Sequence, residues 1–179
     1  MMLWFVRHTK TVSPEGVCYG YSDVLPDPSF ENEKKRIIKE IEEISFAQTF
    51  SSPLTRCTML ATSISTDVII DERMKEMDFG AWEGKTWEYI YQTSEGKAWF
   101  ADYKNVPCPN GESFNDLQMR VKDFLKDLKK YPAHTDILIV THAGVIRAFL
   151  TIIYNISIYE AFDIKIAYGE IVKIPYPVC

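Results

Sequence analysis

Two stretches of this chain stop in the same way. Residues 2–6, MLWFV, are uninterrupted apolar positions that end at Arg7-His8, and ILIVT at 137–141 ends at His142. A strand that is apolar at every position buries both of its faces, so it belongs in a parallel sheet covered by helices on both sides. In such sheets ligands bind beyond the carboxyl ends of the strands. The pattern therefore predicts that Arg7, His8 and His142 meet at one edge of an α/β fold.

Between these strands the chain alternates. Residues 9–29, with Pro14, Gly16, Gly20, Pro26 and Pro28, read as a long irregular connection. Phe30, Ile37, Ile38, Ile41 and Ile44 recur at helical spacing and predict an amphipathic helix over 30–44. AQTFS reads as a short strand. Ser52-Pro53 then has the form of a helix start, Ser as cap and Pro at the first helical position, ahead of LTRCTMLATSI. Residues 67–70 are another strand candidate. The segment from Asp71 to Ile90 is rich in charge and aromatics without simple periodicity, and Trp99 to Pro109 reads as irregular.

Ser113 and Asp116 have the capping-box spacing, ahead of a helix marked by Phe114, Leu117, Val121, Phe124, Leu125 and Leu128. VIRAFLTIIY predicts another helix, and the last strand candidate lies between Asp163 and Pro175. With no internal repeat or low-complexity linker, the reading is one domain over residues 1–179. It is a three-layer α/β sandwich with a mostly parallel sheet, helices on both faces, right-handed crossovers, and a small helical cap lobe near 80–112.

A composition of 46% hydrophobic and 25% charged residues supports a substantial core. The net charge of -5, with no block of Lys or Arg, argues against nucleic acid or a membrane surface as partner. Cys18, Cys57, Cys108 and Cys179 are scattered without a CxxC, and with three histidines they make no zinc spacing. Reduced thiols, no metal and no cofactor are the expectation. The opening apolar run is too short for a signal-peptide core and lacks a basic leader, and no segment has the length of a membrane span. A soluble, cytoplasmic protein is expected, with its oligomeric state left open.

Arg56 falls in the first turn of a predicted helix, where free N–H groups and the helix dipole favour an anion. Two guanidiniums, two imidazoles and a helix N-terminus converging on one spot suit a phosphoryl group, whose oxygens match the arginine fork. Each residue taken singly has a plainer reading. Either histidine alone reads as a hydrogen-bonded core residue, Arg56 as a surface side chain and Glu76 as a solvated charge. Together, each histidine ending an apolar strand, they mark a site. A neutral imidazole can attack phosphorus, so His8 is expected to donate from its other nitrogen to a backbone carbonyl. One carboxylic acid can protonate the leaving group and later activate water, and Glu76 and Glu83 are both candidates.

Glu112 and Ser113 are read mainly as parts of the helix cap. Phe79, Trp82, Trp87, Trp99, Phe100 and Tyr103 are read as packing for the helical lobe, with some of them, Trp82 among them, facing substrate. No extra basic cluster is evident for a second acidic group on the substrate.

The stretches VRHTKT, GVCYGYSDV, SSPLTRC, DERMKEMDFGAWEGKTW, PNGESF with the following helix and Arg120, and VTHAGV, in this order, resemble the histidine phosphatase superfamily and within it the alpha-ribazole phosphatase branch. The resemblance covers nearly the whole chain. It implies a metal-independent phosphohistidine mechanism with His8 as nucleophile, Arg7, Arg56 and His142 as phosphate ligands, and Glu76 rather than Glu83 as proton donor. Thr9 and Ala143 would border the phosphoryl group. Thr9 replaces the usual Gly of this family, and Lys10 its common acidic residue. The implied substrate is a small phosphate ester, in this branch alpha-ribazole 5'-phosphate. A broad phosphatase, a phosphoglycerate-mutase-like isomerase and a non-catalytic phosphometabolite-binding module are the alternatives.

Overall fold

The computed structural model describes residues 1–177. Strand β1 (Met2–Arg7) is followed by helix α1 (Phe30–Ile41), β2 (Phe46–Ser51), α2 (Thr55–Ile64) and β3 (Val68–Ile70). Then come α3 (Trp87–Gln92), α4 (Ser94–Ala101), α5 (Phe114–Asp127), β4 (Asp136–Thr141), α6 (Ala143–Tyr154), α7 (Ile158–Asp163) and β5 (Ile171–Pro175). The strands lie in the order β3-β2-β4-β1-β5. All neighbours are parallel except β1 and β5, so the sheet is mostly parallel as the apolar runs require.

The two-faced burial of β1 is direct. Leu3 and Phe5 pack on one side with Phe124 of α5 and Phe149 of α6, while Trp4 and Val6 pack on the other with Ile37 of α1 and Leu60 of α2. Strand β4 divides in the same way, Ile137 and Ile139 to the first side and Leu138 and Val140 to the second. Leu3, Phe5 and Val6 are wholly excluded from solvent, and each such side chain contributes about 1.5–3 kcal/mol of transfer free energy. β1 pairs with β4 in register from Met2–Asp136 to Arg7–Thr141, which brings the two histidines side by side past the strand ends.

Three details depart from the sequence reading. Ser52 and Pro53 do not start α2. Its first residue is Thr55, and the cap comes from a distant loop, where Asp23 accepts from the Thr55 backbone N–H at 2.7 Å and from its hydroxyl at 2.5 Å. Trp99 lies inside α4 rather than in an irregular segment, behind the cap residue Thr93. The short helix α7 also interrupts the run toward the last strand, and its Ser157–Glu160 capping box is fully formed. Among the described residues no helix is long and apolar enough to cross a membrane, and Cys18, Cys57 and Cys108 are buried free thiols.

Candidate active site

Past the ends of β1 and β4 lies a cavity of about 330 Å3 whose wall includes Arg7, His8, Arg56, Glu76 and Ala143. His8 is 3% exposed and His142 is fully buried. Their rings meet edge to face with centroids 5.1 Å apart.

His8 Nδ1 lies 2.8 Å from the Thr9 carbonyl. A carbonyl only accepts, so Nδ1 carries the proton and the lone pair sits on Nε2. Burial first, then the charges of Arg56 and Arg7, hold the His8 imidazole well below its ordinary pKa. Thr9 itself is fully buried and does not line the cavity, and its hydroxyl has no partner. The residue expected to border the phosphoryl group therefore contributes its carbonyl, as the brace of His8.

His142 sits at the N-cap of α6. Arg56 Nε approaches its Nδ1 at 3.4 Å and Ser52 Oγ lies 2.8 Å from Nε2. Because the guanidinium can only donate, Nδ1 accepts and Nε2 donates to Ser52. Burial, followed by the Arg56 charge, keeps this imidazole well below its ordinary pKa too. Ser52, read from sequence as a cap, instead orients a histidine.

Arg56 is fully buried. Its fork is aimed by backbone carbonyls of the 9–29 connection, with Nη1 donating to Ser22 at 2.8 Å and Nη2 to Gly20 at 2.6 Å. Arg7 Nη1 donates to the Ile166 carbonyl at 2.6 Å, and its Nε is buried without a partner. Several N–H groups of the two forks thus remain for a ligand.

Glu76 reaches the same cavity from the segment after β3. Its Oε2 accepts from the Gly144 backbone N–H at 3.1 Å and its Oε1 from Met77 at 3.0 Å. A Cβ on residue 144 would stand 2.3 Å from Glu76 Oε1, so glycine is what permits this approach. Arg120 on α5 tethers the segment by donating to the carbonyls of Arg73, Lys75 and Glu76 at 2.6, 2.7 and 2.9 Å. Glu112 completes the brace. It pairs with Arg120 through two 2.9 Å bonds and accepts from the Asp78 N–H at 3.0 Å.

Glu83 lies elsewhere. Its carboxylate accepts from the backbone N–H groups of Tyr21 and Ser22 at 2.7 and 2.6 Å, holding the loop that aims Arg56. Trp82 does not reach the cavity either. It is 3% exposed, packed edge to face against Trp99 at 5.7 Å, because the glycine-flanked turn at 80–84 folds its ring into the core. Trp87 and Trp99 do line the cavity, stacked 5.9 Å apart at 23°, whereas Phe100 belongs to an adjoining apolar groove.

Sequence reasoning missed the cavity residues Arg147, Tyr19 and Tyr168, whose side chains carry polar groups. Arg147 stands one helical turn beyond Gly144 and donates to the Ala161 and Ile164 carbonyls at 3.2 and 3.1 Å. A cation does therefore face the cavity beyond the two phosphate-binding candidates. Tyr19 and Tyr168 form part of the opposite wall. Only the i, i+3 spacing of Arg147 from Gly144 carried a signal, and Tyr168 carried none. Among the described residues no group of three or more His, Cys, Asp or Glu is placed to hold a metal ion.

Comparison with known proteins agrees with this geometry. The family pattern described as the histidine phosphatase superfamily (branch 1) matches residues 3–177. The chain is 26% identical over 157 residues to the adenosylcobalamin/alpha-ribazole phosphatase of Escherichia coli K12, covering 84% of this chain and 77% of that one. It is 27% identical over 165 residues to phosphoserine phosphatase 1 of Hydrogenobacter thermophilus, covering 87% and 77%. The crystal structure of the alpha-ribazole phosphatase from Shigella flexneri shares the fold, with a TM-score of 0.87 at 24% identity over 97% of this chain and 89% of that chain. With two histidines at strand ends, two converging arginines and a match along nearly its whole length, this chain belongs to the histidine phosphatase superfamily, branch 1.

Proposed function

We propose that the protein hydrolyses phosphate monoesters through a phosphohistidine on His8, and that its substrate is alpha-ribazole 5'-phosphate, dephosphorylated during assembly of the cobalamin nucleotide loop. The observation that carries the mechanism is the neutral His8 with its lone pair on Nε2 beside two arginine forks.

In this reading Nε2 attacks phosphorus, the P–O ester bond breaks, and the leaving alkoxide takes a proton from the Glu76 carboxyl. Water then attacks the phosphoramidate and gives its proton to Glu76. The N–P bond breaks, and phosphate leaves. Arg7 and Arg56 stabilise the charge on the transferring group, the part that metal ions play in other phosphoryl-transfer sites. His142, expected as a phosphate ligand, has its two ring nitrogens taken by Arg56 and Ser52, and in this reading it acts by holding the Arg56 guanidinium toward the transferring group. The first-turn N–H of Ala143 supplies a further donor.

The substrate assignment rests on the stacked Trp87 and Trp99 in the cavity wall, which suit a planar heterocycle better than a bare sugar, and on the name of the Escherichia coli relative. Arg147 favours a second reading, since a lone cation beyond the phosphoryl position suits the carboxylate of phosphoserine or a phosphoglycerate. The buried free thiols support a cytoplasmic setting.

Catalytic efficiency on alpha-ribazole 5'-phosphate, ribose 5-phosphate, phosphoserine and 3-phosphoglycerate, each with and without a chelator, separates these readings. A gain of about tenfold or more for the benzimidazole ester over ribose 5-phosphate is expected, the scale of burying one or two further apolar groups. Equal efficiency would remove the specific assignment and leave a general phosphatase, and preference for a carboxylate ester would favour the second reading. Binding without turnover of any ester would mark a binding module.

The depressed pKa of both histidines fixes the sign of the pH dependence. A base held below its ordinary value stays neutral as pH falls, so kcat/KM, corrected for substrate ionisation, is expected to show no histidine limb at or above pH 6.5. A limb centred at or above that value would mean that the free enzyme carries a charged nucleophile, contrary to the proposal.

A further inference from the structure

The tyrosines of the cavity wall are joined to each other and to both arginines. The Arg7 guanidinium lies 3.8 Å over the ring of Tyr168, and that of Arg56 lies 5.2 Å from the ring of Tyr19. The two phenol oxygens are 3.0 Å apart, and Thr11 Oγ1 lies 2.9 Å from that of Tyr19. Burial pushes the Tyr19 phenol up to about 12, so Tyr19 joins the link as a neutral hydroxyl at ordinary pH.

Tyr168 is itself placed by a rigid turn. Gly169, at φ +66°, donates its N–H to the carbonyls of both Arg7 and His8 at 3.1 Å, and Arg7 donates its own N–H to the Glu170 carbonyl. The Tyr168 ring also packs against His8 with centroids 5.5 Å apart. Arg7 has otherwise one hydrogen bond through its guanidinium, to Ile166, which fixes one nitrogen and leaves the plane free to rotate about it. An aromatic face against the guanidinium removes that freedom.

We infer that Tyr168, tied through Tyr19 to Thr11, is a positioning residue that sets the plane of Arg7 so that its free N–H groups face the phosphoryl group. This rests on the reading of the cavity as a phosphoryl-transfer site. The hydroxyl link spans 149 positions of sequence and pins the 9–29 connection to the turn before β5. One wall thereby orients the arginine of the strand and backs the arginine of α2.

The test compares Tyr168→Phe, which keeps the ring, with Tyr168→Leu and Tyr168→Met, which remove the aromatic face, using p-nitrophenyl phosphate turnover and inhibition by orthovanadate and inorganic phosphate. Leu and Met are expected to lower kcat about tenfold with KM within about twofold, and Phe to restore kcat to within about threefold of the wild type, the range of one partly desolvated cation–π contact. Vanadate, which resembles the transition state, should weaken in proportion to kcat, and phosphate much less.

Wild-type kcat in a folded Leu or Met variant, or equal losses in Phe and Leu, would overturn the inference. So would failure of both Leu and Met to fold, which would make Tyr168 structural. Absence of a phosphohistidine in the wild type would instead overturn the site reading, and is scored separately by acid quench.

Discussion

Replacing His8 with alanine is expected to lower phosphatase turnover at least about 10,000-fold, the order seen when a covalent nucleophile is removed, while the protein stays folded. The side chain makes one hydrogen bond, to the adjacent Thr9 carbonyl, and its Nε2 has no protein partner, so little of the fold depends on it. Brief acid quenching of the wild type during turnover should yield a phosphoryl adduct that is acid-labile and alkali-stable, as a phosphoramidate is, and the variant should yield none. Circular dichroism establishes that the variant is folded. Turnover within tenfold of wild type in that folded variant would sink the mechanism, because no other buried neutral imidazole with a free nitrogen faces the cavity among the described residues.

The second large effect concerns Glu76. Glu76→Gln keeps the shape and the Gly144 contact but has no acidic proton to give the leaving oxygen. Alkyl phosphates, whose leaving groups are strongly basic, should lose about 100- to 10,000-fold in kcat, the usual range for a general acid. Aryl esters such as p-nitrophenyl phosphate should lose much less in the first step, because their leaving groups depart unprotonated. Burst kinetics separates that step from the hydrolysis of the phosphohistidine, where the same carboxylate activates water. Equal losses in the first step for both ester types would move the acid elsewhere, and Glu83, bonded to the loop at Tyr21 and Ser22, is poorly placed to replace it.

The parts of this site that sequence reveals are those fixed by backbone geometry. An apolar run buries both faces only inside a covered sheet, and a polar residue at its end must then stand at the ligand edge, so Arg7, His8 and His142 were legible from MLWFVRH and ILIVTH. Ser52 was misread because a Ser-Pro pair favours a helix start locally, whereas His142 at the end of the adjacent strand β4 claimed the hydroxyl and Asp23 capped the helix from a loop. Trp82 was misplaced for a related reason. Nothing in the order of the aromatics between Phe79 and Tyr103 says which one a turn will fold inward. Tyr168 was invisible as a site residue and Arg147 had only its spacing from Gly144 to mark it, because their placement depends on long-range packing, across 149 positions in one case and on the path of α7 in the other. The missed helix α7 did carry a signal, the Ser157–Glu160 capping box, but it was masked by the strand expected after it.

The brace built by Arg120 and Glu112 divides the chemistry between two carriers. In the proposed mechanism His8 and Arg7 stand at the end of β1 and Arg56 on α2, and they meet the part that every phosphomonoester has in common. The Glu76 carboxylate hangs from a peptide segment strapped to α5, and Trp87 and Trp99 stand on α3 and α4, on the side that in this reading takes the leaving group. On this reading a change of leaving group asks for new side chains on the strapped segment and on α3 and α4, while the sheet edge keeps its geometry. Exchanging those two helices with a relative's is expected to carry substrate preference along and to leave the reactive centre in place.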